Sequence, residues 1–208
     1  MNVWAIVVAG GTGSRYGGPK HAMLLDGTEL WLRCVEAFSE AGISDVVVVG
    51  DVPEGVSGGE RRRDSVANGL AAVPGSADWI LVNDAARPLV TSDLIEAVLR
   101  RLELGDADAV IPITPMTDTL KRVKNSRVVG TIDRSSIKAV QTPQAFRAEA
   151  LRAAHAHDRG ADVTDDAGLI ERLGGTVVTV PGDQHNMKIT FAGDLEIAEA
   201  ILEGRRND

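Results

Sequence analysis

Four short stretches of the chain are continuously apolar and rich in β-branched residues: VWAIVV (3–8), DVVVVG (45–50), WILVND (79–84) and ADAVIPI (107–113). Strands buried on both faces have this composition. Between them the apolar positions fall at helical spacing, near 28–42, 63–73 and 91–104. The last of these opens with Thr91-Ser92, either of which suits a helix N-cap. Strand and helix alternating in this way predict an α/β fold, a mostly parallel twisted sheet with helices on both faces. The pattern changes after about residue 115. DTLKRV (118–123), RVVGTID (127–133) and IKAVQTP (137–143) are short and separated by turn residues, so they read as strands and a hairpin. Helices are expected over 147–158 and 165–173, strands at 175–180 and 186–191, and a closing helix from AGDLEIAEAIL. The 115–146 segment is expected to project from the sheet, and an exposed hairpin commonly pairs with a second subunit.

Length and composition narrow the class. The chain has 208 residues, 44% hydrophobic and 25% charged, which fits one globular domain over 1–208 with a full core. A net charge of -8 argues against non-specific nucleic-acid binding, so any anion must meet cations gathered locally. The Arg61–Arg63 run lacks aromatic partners; it reads as the opening of a helix beside a bound phosphate, or as solvated charge. The single cysteine, Cys34, excludes an intramolecular disulfide and reads as core. No apolar run reaches the roughly 18 residues of a membrane span, and no basic region precedes the first one. A cytoplasmic protein that touches neither membrane nor nucleic acid is expected. The four histidines, His21, His155, His157 and His185, show no metal-ligand spacing, and His155 and His157 are expected on the surface.

Candidate chemistry begins where the first strand ends. The stretch VVAGGTGSRYGGPKHAML, from residue 7, holds five glycines with Arg15 and Lys20. Glycines let backbone N–H groups approach a ligand, and successive N–H groups form a concave anion site. Two full positive charges in the same loop suit a nucleoside triphosphate. A dinucleotide fingerprint fails because Tyr16 stands where its third glycine belongs, and a P-loop fails because Pro19 precedes Lys20 and His21 follows it.

The ordered set AGGTGSR, GGERRRDSV (58–66), NDAARP (83–88), DTLKRV, TIDR (131–134), QTPQAF (141–146), TDDAGLIE (164–171) and NMKIT (186–190) closely resembles the 2-C-methyl-D-erythritol 4-phosphate cytidylyltransferase family over nearly the whole chain. Ribitol-5-phosphate cytidylyltransferases share the glycine loop and QTPQ, and form the alternative. The resemblance implies a Rossmann-like fold, a homodimer built through a β-arm at about 124–146, and transfer of CMP from CTP to a sugar-alcohol phosphate with Mg²⁺. It implies that Arg15 and Lys20 stabilise the transition state, and that Ala9, Gly10, Gly11, Thr12, Gly13 and Ser14 contact CTP. It places Gly59 and Ser65 by the cytosine, and Asp84 and Ala85 in the CTP site. Asp84, Arg87, Thr131, Arg147 and Lys188 are implied to hold the acceptor, Arg147 and Lys188 as catalytic groups, with Thr131 and Arg147 reaching a neighbouring subunit from the arm.

The chemistry agrees with such a set. A phosphate monoester has its second pKa near about 6, so the nucleophile is already anionic and no general base is required. The barrier is one anion approaching another: two unit charges about 4 Å apart at an effective dielectric of about 20 cost about 4 kcal/mol. Cations and a metal remove that repulsion. Asp84 ends an apolar strand, and carboxyl ends of parallel strands are where ligands bind; magnesium needs only one or two carboxylates beside phosphates and water. Asp84 is therefore the expected metal ligand.

Overall fold

The computed structural model describes residues 1–10, 23–157 and 163–207. In chain order its elements are β1 (Val3–Val8), the two-residue strands β2 (Leu24–Leu25) and β3 (Thr28–Glu29), α1 (Leu30–Glu40), β4 (Val46–Val49), α2 (Arg62–Ala72), β5 (Trp79–Asp84), α3 (Ser92–Leu102), β6 (Ala109–Pro115), β7 (Leu120–Lys124), β8 (Arg127–Ile132), β9 (Lys138–Val140), β10 (Gln144–Arg147), α4 (Ala148–His157), α5 (Ala167–Arg172), β11 (Val177–Pro181) and α6 (Gly193–Asn207). The central sheet runs β11-β6-β10-β5-β1-β4, with β9 paired to the far end of β6. Strands β4, β1 and β5 are mutually parallel, as are β6 and β11. β10 is antiparallel to both β5 and β6.

Alternation along β1 divides the core. Ile6 and Val8 face one side, with Ile80, Val82 and Phe146, and meet Val66 and Leu70 of α2, Leu151 of α4 and Ile170 of α5. Ala5 and Val7 face the other side and meet Cys34 and Phe38 of α1 and Ile95, Val98 and Leu102 of α3. Cys34 is a free, buried thiol within this second layer. Thr91 caps α3 by accepting from the Leu94 amide at 3.4 Å. A third apolar cluster joins Leu25, Leu30, Leu89, Ile189 and Ala198 of α6.

Three expectations change. The 186–191 segment forms no ladder with the described residues; just past β5 the Ile189 amide donates to the Ala86 carbonyl at 2.7 Å. Burial of Ile189 and the bond from Arg87 to the Asn186 carbonyl hold this segment in place. A four-residue strand, β10, stands before the helix expected from 147. The hairpin β7–β8 spans Leu120–Ile132 and forms its own two-stranded sheet, whereas β9 and β10 return to the central sheet. Its turn places Asn125 and Ser126 at positive φ, the backbone that a two-residue hairpin turn requires. No helix among the described residues is long and apolar enough to cross a membrane.

Candidate active site

The carboxyl ends of β4, β1 and β5 lie side by side. Val8 is in register with Asp84, the Ala85 amide donates to the Val8 carbonyl at 3.0 Å, and the Ala9 amide donates to the Val49 carbonyl at 2.8 Å. Gly10 follows, packed against Gly58 and the Ser65 hydroxyl; a β-carbon on it would lie 3.6 Å from Ser65 Oγ. The loop before α2 is therefore folded onto the end of β1. At Gly59 a β-carbon would come within 2.4 Å of Asp64 Cβ, so only glycine lets this loop double back on the helix start. Ser65 Oγ accepts from the Gly59 amide at 3.0 Å and donates to the Arg61 carbonyl at 3.3 Å. Its hydroxyl shapes the loop. Ala9, Gly10, Gly59, Ser65, Asp84 and Ala85 thus gather at one end of the sheet, as the sequence reading requires. Gly11, Thr12, Gly13, Ser14, Arg15 and Lys20 lie outside the described residues.

Asp84 is the centre of the site's charge. Its Oδ1 accepts from Arg62 Nε at 2.8 Å and its Oδ2 from Lys188 Nζ at 2.6 Å. Burial pushes the Asp84 carboxyl up, but Arg62 and then Lys188 outweigh it and hold it well below the usual carboxylate range. The backbone is fixed as well: the Asp84 amide donates to Thr142 Oγ1 at 3.0 Å, and Thr142 Oγ1 donates to Asn83 Oδ1 at 2.9 Å. Gln141 and Asn186 complete this layer through bonds to the Asp183 carbonyl and the Thr142 carbonyl. The Lys188–Asp84 contact is made within one chain.

The charge chain continues inward. Arg62 Nη1 donates to Asp166 Oδ2 at 2.6 Å, and Asp166 Oδ1 lies 3.0 Å from His155 Nε2. Asp166 is fully buried; burial raises its carboxyl, and Arg62 first and then His155 draw it below its ordinary value. Burial also opposes the Arg62 charge, yet Asp84 and Asp166 overcome it and keep the guanidinium protonated. The sequence reading missed this chain. His155 is buried against Asp166, not on the surface, because α4 turns it toward the start of α5. Arg62 is the first residue of α2, so the reading of 61–63 as a helix opening holds, but Arg62 and Arg63 are withdrawn from solvent. The available signal was a run of arginines directly before an apolar helix face.

The other expected residues divide. Arg87 is engaged by backbone: Nη1 donates to the Asn186 carbonyl at 2.7 Å and Nη2 to the Val140 carbonyl at 3.2 Å. Burial lowers its pKa and Asp84 partly offsets that. It clamps the chain segments bordering the site. Thr131 sits on the exposed hairpin, its hydroxyl accepting from Lys121 Nζ at 2.7 Å. Arg147 lies far from Asp84 of its own chain, on β10 of the central sheet and off the β7–β8 hairpin. It ends β10 in register with Trp79, the first residue of β5, whereas Asp84 is the last. At about 3.3 Å per residue the two ends are roughly 17 Å apart. There Arg147 donates to the Ala107 and Gly105 carbonyls at 3.0 and 2.9 Å, with its guanidinium 5.1 Å above the Trp79 ring. These contacts lie within its own chain and hold it at the amino end of β5.

Among the described residues no group of three or more His, Cys, Asp or Glu could hold a metal unaided. Asp84 does fit a one-carboxylate magnesium site. An ionised carboxylate offers about four lone-pair directions, of which Arg62 and Lys188 take one each.

Comparison with known proteins agrees with this arrangement. The family model for 2-C-methyl-D-erythritol 4-phosphate cytidylyltransferase matches residues 3–204. The enzyme of that name from Rhodococcus jostii is 44% identical, with 97% of this chain and 95% of that protein covered. A bifunctional enzyme of Solidesulfovibrio magneticus is 41% identical over 96% of this chain, which spans 57% of that longer protein. The crystal structure of the 2-C-methyl-D-erythritol 4-phosphate cytidylyltransferase from Thermus thermophilus superposes with a TM-score of 0.83 at 33% identity, covering 98% of this chain and 100% of that one. By the order of its motifs, its sheet and these matches, the chain belongs to the 2-C-methyl-D-erythritol 4-phosphate cytidylyltransferase family.

Proposed function

We propose that this chain transfers CMP from CTP to 2-C-methyl-D-erythritol 4-phosphate, giving 4-diphosphocytidyl-2-C-methyl-D-erythritol and pyrophosphate, a step of non-mevalonate isoprenoid precursor synthesis. One observation carries the reading beyond family membership: Asp84, held between Arg62 and Lys188, stands beside Ala9, Gly10 and the Gly59 loop at the carboxyl end of the sheet. The main-chain amides from Ala9 to Ser14 receive the triphosphate, with Arg15 and Lys20 neutralising charge on the phosphorus under attack. The backbone of the Gly59 loop faces the cytosine, whose amino group and carbonyl suit main-chain partners. Lys188 offers its remaining ammonium protons to the acceptor's phosphate, and Arg87 keeps the bordering loops in place. No side chain needs to remove a proton.

Magnesium belongs to the same proposal. Asp84 would hold it together with the nucleotide's own phosphates; when bound, it supplies positive charge that offsets the developing negative charge of the departing pyrophosphate. A homodimer through β7–β8 is likewise proposed. Val123, Val128 and Val129 are each more than half exposed on that hairpin, apolar surface that a second subunit would cover. Thr131, on the same hairpin, would then reach the partner's acceptor. The cytoplasmic assignment rests on the free, buried Cys34.

The test is pyrophosphate release from CTP with each acceptor in turn. Turnover is expected with 2-C-methyl-D-erythritol 4-phosphate. Turnover with ribitol 5-phosphate alone would overturn the assignment; the methylerythritol names of the relatives do not favour that outcome.

A further inference from the structure

We propose that Arg62 is a positioning residue for the transfer reaction, one that fixes the plane of the Asp84 carboxylate and thereby keeps Lys188 available to substrate. The inference rests on the roles given above to Asp84 and Lys188. Arg62 occupies the first turn of α2, directly after the Gly59 loop, and spans two carboxylates from distant parts of the chain. Its Nε meets Asp84 Oδ1 at 2.8 Å and its Nη1 meets Asp166 Oδ2 at 2.6 Å. A guanidinium is planar and its donors are fixed in a fork, so two contacts through different nitrogens leave it no rotation. Asp166 is itself immobilised by burial and by His155 on its second oxygen. The orientation imposed at Asp84 is therefore anchored in the core.

Consider the same site without that clamp. Among the described residues Asp84 would keep one hydrogen-bonded cation, Lys188, whose side chain is 40% exposed and free to follow it. A carboxylate with a single ammonium partner gains by turning both oxygens toward it. Lys188 would then be drawn onto Asp84, and its charge toward substrate would be spent. With Arg62 present, one oxygen is already engaged, and Lys188 makes a single 2.6 Å bond that leaves its other protons directed elsewhere. Arg62 Nη2 is buried and has no hydrogen-bond partner among the described residues. An unfilled buried donor costs stability. The guanidinium is thus set by its two carboxylates, at the expense of filling every donor.

The variants are R62Q, which keeps much of the side-chain length and loses the charge, and R62K, which keeps the charge but reaches only one carboxylate. A displacement of the order of 1 Å at such a site costs about 100-fold in rate, so R62Q is expected to lower kcat by about that factor. Its affinity for CTP, titrated without acceptor by calorimetry, is expected to stay within about three-fold, because the amide loop and Gly59 are untouched. R62K is expected between R62Q and the parent in kcat, and it carries the test should R62Q not fold. A crystal structure of the variant is expected to show Asp84 turned to hold Lys188 with both oxygens. Unchanged kcat at a lowered Tm, CTP affinity falling in step with kcat, or Asp84 unmoved in the variant would each overturn the proposal. Should the parent protein release no pyrophosphate with 2-C-methyl-D-erythritol 4-phosphate, the functional assignment falls instead, and the position of Asp84 in the variant decides the role of Arg62 alone.

Discussion

The two ends of β5 each gather an arginine, and they use it differently. At the carboxyl end Arg62 is held by two carboxylates, Asp84 and Asp166, with Lys188 on the first of them. At the amino end Arg147 is held by two backbone carbonyls and the face of Trp79. Carbonyl partners and a ring satisfy a guanidinium without adding charge, so the amino end is a closure of the fold. Paired charges at the carboxyl end are costly to bury and contribute little net stability against apolar packing. Their retention next to the Gly10 and Gly59 loops marks that end as the one organised for an anionic ligand. Residue type alone does not separate the two arginines; their partners do.

The sharpest way to break this comparison is D84N, which keeps the shape of the side chain and removes the charge. Lys188 and Arg62 then face each other without their shared anion. Pyrophosphate release at saturating substrates is predicted to fall by about 1,000-fold, the scale of losing a fixed electrostatic contact to a reacting group. A rate within about ten-fold of the parent would remove Asp84 from the chemistry. K188M is predicted to be next, with a loss of about 100-fold in turnover and little change in Tm, since the Lys188 side chain is 40% exposed and its pair is screened by water. A large fall in Tm with intact turnover would make it a structural residue.

R147M sharpens the comparison from the opposite end. It is predicted to leave turnover within about three-fold and to lower stability by about 1–3 kcal/mol, read by denaturant unfolding, through loss of the bonds to Ala107 and Gly105. A hundred-fold loss of turnover with unchanged acceptor-free stability would return Arg147 to the site that the sequence resemblance implies for it.

This contrast shows what a linear pattern can carry. β1, β4, β5 and α3 were legible because strands buried on both faces and a helix with one apolar face leave periods in the sequence. Asp84 was legible because it ends such a strand, and Gly10 and Gly59 because glycine marks close approach. The place of Arg147 was not legible, because it depends on pairing with Trp79 through β10, a strand of four residues with no period of its own. The chain of Lys188, Asp84, Arg62, Asp166 and His155 was illegible for a related reason. Its members come from five separate stretches, and a buried ion pair looks in sequence like two solvated charges. Lys188 was expected on a strand, but its segment forms no ladder with the described residues; burial of Ile189 and a backbone bond to Ala86 hold it there.

Acid separates the two ends with the smallest effect. Asp84 and Asp166 both have folded-state pKa values depressed, by Arg62 first, then by Lys188 for the one and His155 for the other, against the opposing push of burial. A carboxyl depressed on folding contributes stability that is fully present above its unfolded value, about 3.9 for Asp. That stability is lost as pH falls from there toward the folded value. The partners of Arg147 are carbonyls and a ring, which do not titrate. Tm is therefore predicted to hold steady down to about pH 4 and to drop below it. R147M should run parallel to the parent at a lower level, because nothing it removes takes up a proton. D84N should start lower and fall less steeply, because one of the two depressed carboxyls is gone. Exposed carboxylates such as Asp106 add a background common to all three proteins. Parallel curves for D84N and the parent between neutral pH and about pH 3 would mean that the Asp84 charge contributes nothing to folding. At the carboxyl end of β5, Asp166 alone of the two carboxyls would then tie folding to ionisation.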